Sequence, residues 1–355
     1  MNSSGNYVVV WQSDVMQYGD SKAVYAQIFN PDGTKNGSEI QVNEFTTSYH
    51  VNPDVAMDNA GNFVVTWQSR VNNITDEVLA KRYNSDGIAQ GSEFQVNTYT
   101  SNFQGYPSIG MDSIGNFAIV WQSYDGGGAG ISAQRFDNNG NTIGNEFTVN
   151  SYTTDTQDFP DISMNSLGNF VITWESAIES DSSFGIYAKR YDSNGSSLGS
   201  EFHVNTYINS MQRYPKISAN DSGNFVITWQ SFNQNGNDDW DVFAQRFNSD
   251  GIMQGSEFQA NSYTLSPQAR PSVAINNSGN FVITWQEEDL PRILAQKFNS
   301  NGIMQGNEIQ ISSSNDGDKF KPNLSMNNNG NYVVVWYKSD TINNIYNIYE
   351  KKLIY

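Results

Sequence analysis

Eight residues, GNFVITWQ at positions 223–230, return seven times along this chain with small changes. Near-copies occupy 5–12, 61–68, 115–122, 168–175, 279–286 and 330–337, each with one Trp at its seventh place: Trp11, Trp67, Trp121, Trp174, Trp229, Trp285 and Trp336. The spacings between them run from 51 to 56 residues. A unit of this length cannot bury its own apolar face, so neighbouring units must share a core, as in solenoids and propellers.

What each unit contains decides between those two. A first segment, A, follows a proline, as in Pro53-Asp-Val-Ala-Met57. The repeated octapeptide is segment B. Segment C reads like Phe243-Ala-Gln-Arg-Phe247, and segment D like Glu93-Phe-Gln-Val-Asn97. All are short, rich in β-branched and aromatic residues, and bounded by Gly, Asn, Asp or Pro, which are strand signals. No stretch has helical periodicity. Asp58-Asn-Ala-Gly61 and its equivalents link A to B, and Asn-Ser-Asp-Gly turns link C to D. Tight turns of this chemistry make an antiparallel meander. One four-stranded meander per repeat is a propeller blade, so the chain reads as all-β, a seven-bladed β-propeller of four-stranded antiparallel blades spanning 1–355 as one domain.

The order of strands follows from their faces. Segment B is apolar on both sides, so both sides are covered. Segment D alternates, with Phe94 and Val96 inward and Glu93, Gln95 and Asn97 outward, which suits a rim. Segment A keeps a small residue at one place (Ala56, Gly110, Ser163, Ser218, Ala274, Ser325), which suits the crowded centre. Each Trp hides about 150–250 Å², roughly 4–6 kcal/mol gross at about 25 cal/mol per Å². Segments A and D occur six times and B and C seven, so the first blade lacks its inner strand and the last its outer strand. An open sheet edge invites pairing with another chain, and self-association or a partner chain at the terminal blades is one expectation.

Charge narrows the partners. The net charge is −18, which repels phosphate backbones and anionic lipid; nucleic acid is not an expected partner. No apolar run is long enough for a membrane-spanning helix, so no membrane insertion is expected. There is no cysteine and hence no thiolate site. No cofactor is expected; carboxylate and amide oxygens leave calcium as the single candidate.

Loop lengths point to one face. The D–A and C–D links are uniform, while the distance from the B-segment Trp to the C core varies from 9 to 14 residues. Variable loops on a uniform scaffold are where function accumulates. In a meander the B–C and D–A loops emerge together. The D–A loops repeat Tyr99 with Gln104, Tyr152 with Gln157, Tyr207 with Gln212, and Tyr263 with Gln268. Aromatic plates beside amides suit sugar rings; alternatively, Tyr packs the crossover and Gln ties its backbone. Trp240, flanked by Asp238, Asp239 and Asp241, is the one Trp outside the repeat. It is either a ligand anchor or a ring folded onto its own loop. Glu175, Glu179, Asp181 and Glu287 to Asp289 are carboxylates on this face, but nothing in the sequence pairs them. The two histidines, His50 and His203, have no recognisable triad partner. Asp125-Gly-Gly-Gly128 is followed by neither Lys nor helix, so it is no phosphate loop.

The unit as a whole resembles a repeat found in tandem in large bacterial secreted and surface proteins. That resemblance implies an extracellular or cell-surface location and transfers no catalytic residue. The Asp/Asn-x-x-Gly-Asn turn before segment B resembles the Asp-box of sialidases, over the turn alone. These readings combine into an expectation: a non-enzymatic, lectin-like module binding glycan or a cell-surface protein. The alternatives are a structural or assembly protein and a propeller glycosidase.

Overall fold

The structure is a computed structural model that describes residues 1–14, 22–45, 49–71, 75–124, 128–177, 183–312, 318–340 and 345–354. Among these residues there is no helix, and the strands form seven antiparallel sheets. The fold is a seven-bladed β-propeller, all-β as the repeat predicts. The second sheet shows the plan: A is His50–Met57, B Phe63–Val71, C Thr75–Tyr83 and D Phe94–Gln95, hydrogen-bonded in that order. The third to sixth sheets repeat it. Among the described residues the first sheet holds three strands, equivalent to B, C and D (Tyr7–Asp14, Lys22–Phe29, Lys35–Gln41). The last also holds three, equivalent to A, B and C (Lys319–Met326, Asn331–Asp340, Ile345–Ile354). Residue contacts divide the chain into two compact units. Unit 1 is 1–174 with 189–201, and unit 2 is 175–188 with 202–355.

In both units the core is a set of layers between successive sheets. In unit 1, Phe63, Val65 and Trp67 of one B strand pack on Val24, Ala26, Ile28 and Val42 of the preceding sheet. The opposite face of the same strand supplies Val64, which joins Trp121 and Phe117 of the following sheet. In unit 2, Phe281, Ile283 and Trp285 pack on Val226, Val242, Ala244 and Ala260, while Val282 joins Trp336 and Tyr332. A strand covered on both faces is apolar on both faces, so the octapeptide repeats because each copy fills two layers. Trp67, Trp121, Trp229 and Trp285 are wholly excluded from solvent.

The small residues of the A strands sit where sheets crowd. A Cβ on Gly110 would lie 3.1 Å from the Met164 Cβ of the next A strand. The D strands depart from expectation. In the second, fourth, fifth and sixth sheets only two residues pair, as in Phe94–Gln95. Asn97, expected to face outward, is buried. Its Oδ1 accepts the Val78 N–H at 2.8 Å, and Asn150, Asn205 and Asn261 do the same for Ile131, Ile186 and Val242. An amide side chain thus takes over from the ladder where the D strand stops, because a buried N–H left unpaired is costly.

Candidate functional site

The B–C and D–A loops emerge on one side of each blade, joined by backbone bonds such as Tyr124 N–H to Phe103 O and Phe232 N–H to Met211 O. On that side every A strand begins with the same distortion. The residue before the A-strand proline has positive φ in all six cases: Asn52 (51°), Tyr106 (50°), Phe159 (48°), Tyr214 (54°), Arg270 (53°) and Lys321 (48°). None is glycine, and a residue before proline is ordinarily held in the extended region. The ladder slips there, between Gly105 and Ser108 or Arg213 and Lys216, for example. A bulge re-aims a side chain, and left-handed non-glycine residues cost about 1–3 kcal/mol each unless their surroundings hold them.

What holds five of the six is the last residue of the preceding octapeptide. The Asn52 N–H is bound by Gln12 Oε1 at 3.0 Å, that of Tyr106 by Gln68 at 3.4 Å, and that of Arg270 by Gln230 at 3.0 Å. Gln286 binds Lys321 N–H at 2.8 Å, and Glu175 binds Tyr214 N–H at 2.8 Å. Each donor lies one sheet after its acceptor. Close approach is enforced at Gly105, where a Cβ would sit 2.6 Å from Gln68 Oε1 and 2.5 Å from the Phe103 ring. The Gln of GNFVVTWQ is therefore a clamp on the next blade's bulge.

The bulge side chains differ from repeat to repeat while their frame does not. In unit 1 they build an aromatic group: Phe103 meets Tyr106 at 5.9 Å between centroids, and Tyr106 meets Phe159 at 4.8 Å. Tyr106 is exposed. Two residues further along the same strands stand Asp54, Ser108 and Asp161. Ser108 Oγ lies 2.9 Å from Asp54 Oδ2 and 3.1 Å from Asp161 Oδ1, so those two oxygens are no more than about 6 Å apart. Asp54 also accepts the N–H groups of Val55 and Ile109, at 2.9 and 3.0 Å. Ser108 and Asp161 are buried and Asp54 is half-buried.

Unit 2 carries a different group. Arg213 places Nε 2.9 Å and an Nη 2.5 Å from Glu175 Oε1, while Glu175 is fully buried. Burial pushes the Glu175 carboxyl up from its ordinary value, against the opposing pull of Arg213. The Arg213 guanidinium lies 4.5 Å from the Phe184 ring and 5.3 Å from that of Tyr214, and the Arg270 guanidinium lies 3.5 Å from Tyr214.

The residues singled out from the sequence divide. Gln104, Gln157, Gln212 and Gln268 open their A strands and are buried. Gln104 and Gln268 accept the indole N–H of Trp121 and Trp285 at 2.9 and 2.7 Å. Gln157 and Gln212 accept from Asn150 and Asn205. These amides serve the scaffold. Tyr99 and Tyr263 are exposed, Tyr152 and Tyr207 half-buried. The carbonyl of each accepts an Asn side chain, which fixes the loop. Trp240 is half-buried and tilts onto Phe232 at 5.3 Å, within a loop tied by Asn235 and Asn237 to Asp241. Glu287 is buried against Arg292. Glu179, Asp181 and Asp125 lie outside the described residues. Among the described residues no three His, Asp or Glu are grouped to hold a metal.

His50 occupies the place that Gln fills in four other A strands. It is buried, with Nε2 2.8 Å from Phe45 O and, among the described residues, no partner for Nδ1. Burial lowers its pKa below 6.5. The unfolded chain then takes up the proton first, so His50 contributes stability above about pH 6.5 that is lost as pH falls through its folded pKa. His50→Gln is expected to lessen the drop in denaturant midpoint between about pH 7 and about pH 5. An unchanged drop would remove His50 as its source.

No family model matches the chain, and no curated protein matches it. Solved structures do. The polysaccharide lyase Uly1 aligns with a TM-score of 0.61 at 6% identity, covering 99% of this chain and 88% of that one. The α-L-arabinofuranosidase of Fusarium graminearum aligns at 0.56 and 9% identity, covering 86% and 93%. A Hadza microbial sialidase aligns at 0.52 and 12% identity, covering 94% and 74%. At these identities the likeness is one of fold. It nevertheless corrects one expectation. The absence of an enzyme was read from unpaired carboxylates in the loops, yet the fold is shared with glycan-cleaving enzymes. The structure also pairs two carboxylates that lie in A strands rather than in loops.

Proposed function

We propose that this chain acts on glycans as a propeller glycosidase. The observation that carries the reading is in unit 1: Asp54 and Asp161 converge on Ser108 at the foot of the Tyr106–Phe159 aromatic pair. Sugar rings have apolar faces that lie on aromatic rings and hydroxyl edges that need polar partners. Carboxyl groups about 5–5.5 Å apart serve double displacement with retention, while pairs about 6.5–9.5 Å apart leave room for the water of inversion. The upper bound set by Ser108 favours the first.

The roles follow from the contacts. Asp54, fixed by two backbone N–H groups, attacks the anomeric carbon and forms a glycosyl ester as the glycosidic bond breaks. Asp161 gives its proton to the leaving oxygen. Asp161 then takes a proton from water, the hydroxide adds to the anomeric carbon, and the ester to Asp54 is released. Work on polysaccharide and the secreted-protein repeat that the unit resembles both support a location outside the cell.

The test is incubation with a panel of neutral and acidic oligosaccharides, with the anomer of the first-formed sugar followed by proton NMR. Release with retained configuration is expected. No release from any member, or release with inversion, overturns the reading.

A further inference from the structure

Charge in the A strands is sorted by unit. The three A strands of unit 1, His50–Met57, Gln104–Met111 and Gln157–Met164, hold Asp54, Asp158 and Asp161 and no Lys or Arg. Those of unit 2, Gln212–Ala219, Gln268–Ile275 and Lys319–Met326, hold Arg213, Lys216, Arg270, Lys319 and Lys321 and no Asp or Glu. Five of the chain's 19 basic residues thus fall in three short strands of a protein with net charge −18. Dispersed solubilising charge would not collect this way.

One of the five stands apart. Arg213 is committed to Glu175. The Arg270 side chain lies on the Tyr214 ring and makes no hydrogen bond or ion pair among the described residues. It is half-buried, and its field reaches Glu175 without contact. Glu175, Arg213 and Arg270 together leave one positive charge over. A guanidinium flat on an aromatic ring keeps its N–H edge free and pre-oriented for a planar or tetrahedral anion. The bulge that aims Arg270 is held through its backbone N–H by Gln230, independently of the side chain.

We infer that Arg270, seated on Tyr214, receives the anionic group of an acidic glycan, a carboxylate or a sulfate borne on a sugar. This rests on the reading that the chain acts on glycans and names the class. Lys216, on the strand of Tyr214, and Lys321, on the last A strand, add positive potential to the approach.

Calorimetry with three probes tests it: a galacturonate oligosaccharide, a sulfated galactan oligosaccharide and a neutral arabino-oligosaccharide. Wild-type protein should bind one of the acidic probes more tightly than the neutral one, and whichever binds identifies the anion. Arg270→Gln should weaken that binding by about 10- to 100-fold, the loss of a charge-assisted pair, and leave the neutral probe unaffected. Arg270→Lys, which keeps charge and loses the flat stack, should fall between. The thermal midpoint should hold in both variants, since the Gln230 clamp grips the backbone. Equal affinity for the neutral probe, or no change in Arg270→Gln, overturns the inference. The readout needs no turnover, so acidic-glycan binding without hydrolysis would sink the catalytic reading alone. Hydrolysis in the wild-type protein, with acidic-probe affinity unchanged in Arg270→Gln, would sink this one alone.

Discussion

Asp161→Asn is expected to lower turnover of a cleaved glycan by about 10²–10⁴-fold, the range for removing a positioned proton donor. Asn keeps the size of Asp and still offers Ser108 Oγ an acceptor where Asp161 Oδ1 now lies 3.1 Å away. The fold should register little, and substrate affinity should persist because the Tyr106–Phe159 pair is untouched. The loss therefore belongs in kcat, with KM nearly constant. Asp54→Asn is a harsher change. Both Asp54 oxygens accept backbone N–H groups, from Val55 and Ile109, so an amide NH₂ at either position faces a donor. About 1–3 kcal/mol of stability should go with the activity. Asp161→Asn with unaltered kcat would show that the two carboxylates only knit the A strands together, as the equivalent Ser272 and Asn323 do in unit 2.

The architecture was legible because it rests on periodic apolar residues. Seven octapeptides gave seven B strands, turn residues gave the meander, and the missing A and D segments reappear as three-stranded first and last sheets. Four of the six D strands were read too long, since Asn97 looked like the outer half of an alternation. In three dimensions its amide finishes a ladder that the backbone abandons, and no local pattern announces a contact across 19 residues.

The residues that recur and the site proposed here differ for an instructive reason. Gln104 and Gln268 drew attention because they recur, and what they do is scaffold work: each accepts from the buried indole of its own blade. The positions that differ, Asn52, Tyr106, Phe159, Tyr214, Arg270 and Lys321, stand before an unvarying proline. A variable residue inside an invariant frame was a readable signal. Its geometry was not readable, because a residue before proline is expected to be extended, and the clamp on the bulge, Gln in four cases and Glu175 in one, comes from the preceding sheet. The sorting of A-strand charge was likewise present in the sequence and hidden by the net value of −18.

Removing an indole from the core should cost more stability than any other substitution considered. Trp229→Ala and Trp285→Ala each empty a fully buried site and should lose about 3–5 kcal/mol, read as a fall in denaturant midpoint. The informative comparison is with Phe. Trp285 donates its N–H to Gln268 Oε1 at 2.7 Å, whereas Trp229 Nε1 has no partner among the described residues. Both Phe variants lose similar volume, but Trp285→Phe also strands a buried amide oxygen. It should therefore be the more destabilising by about 1–3 kcal/mol. Adding Gln268→Leu to Trp285→Phe should recover part of that difference by removing the stranded acceptor. The same change in the Trp285 parent should be harmful, because it orphans the indole. If the two Phe variants unfold alike, burial of the rings alone accounts for the repeated Trp, and Gln268 is there for some other reason than the indole.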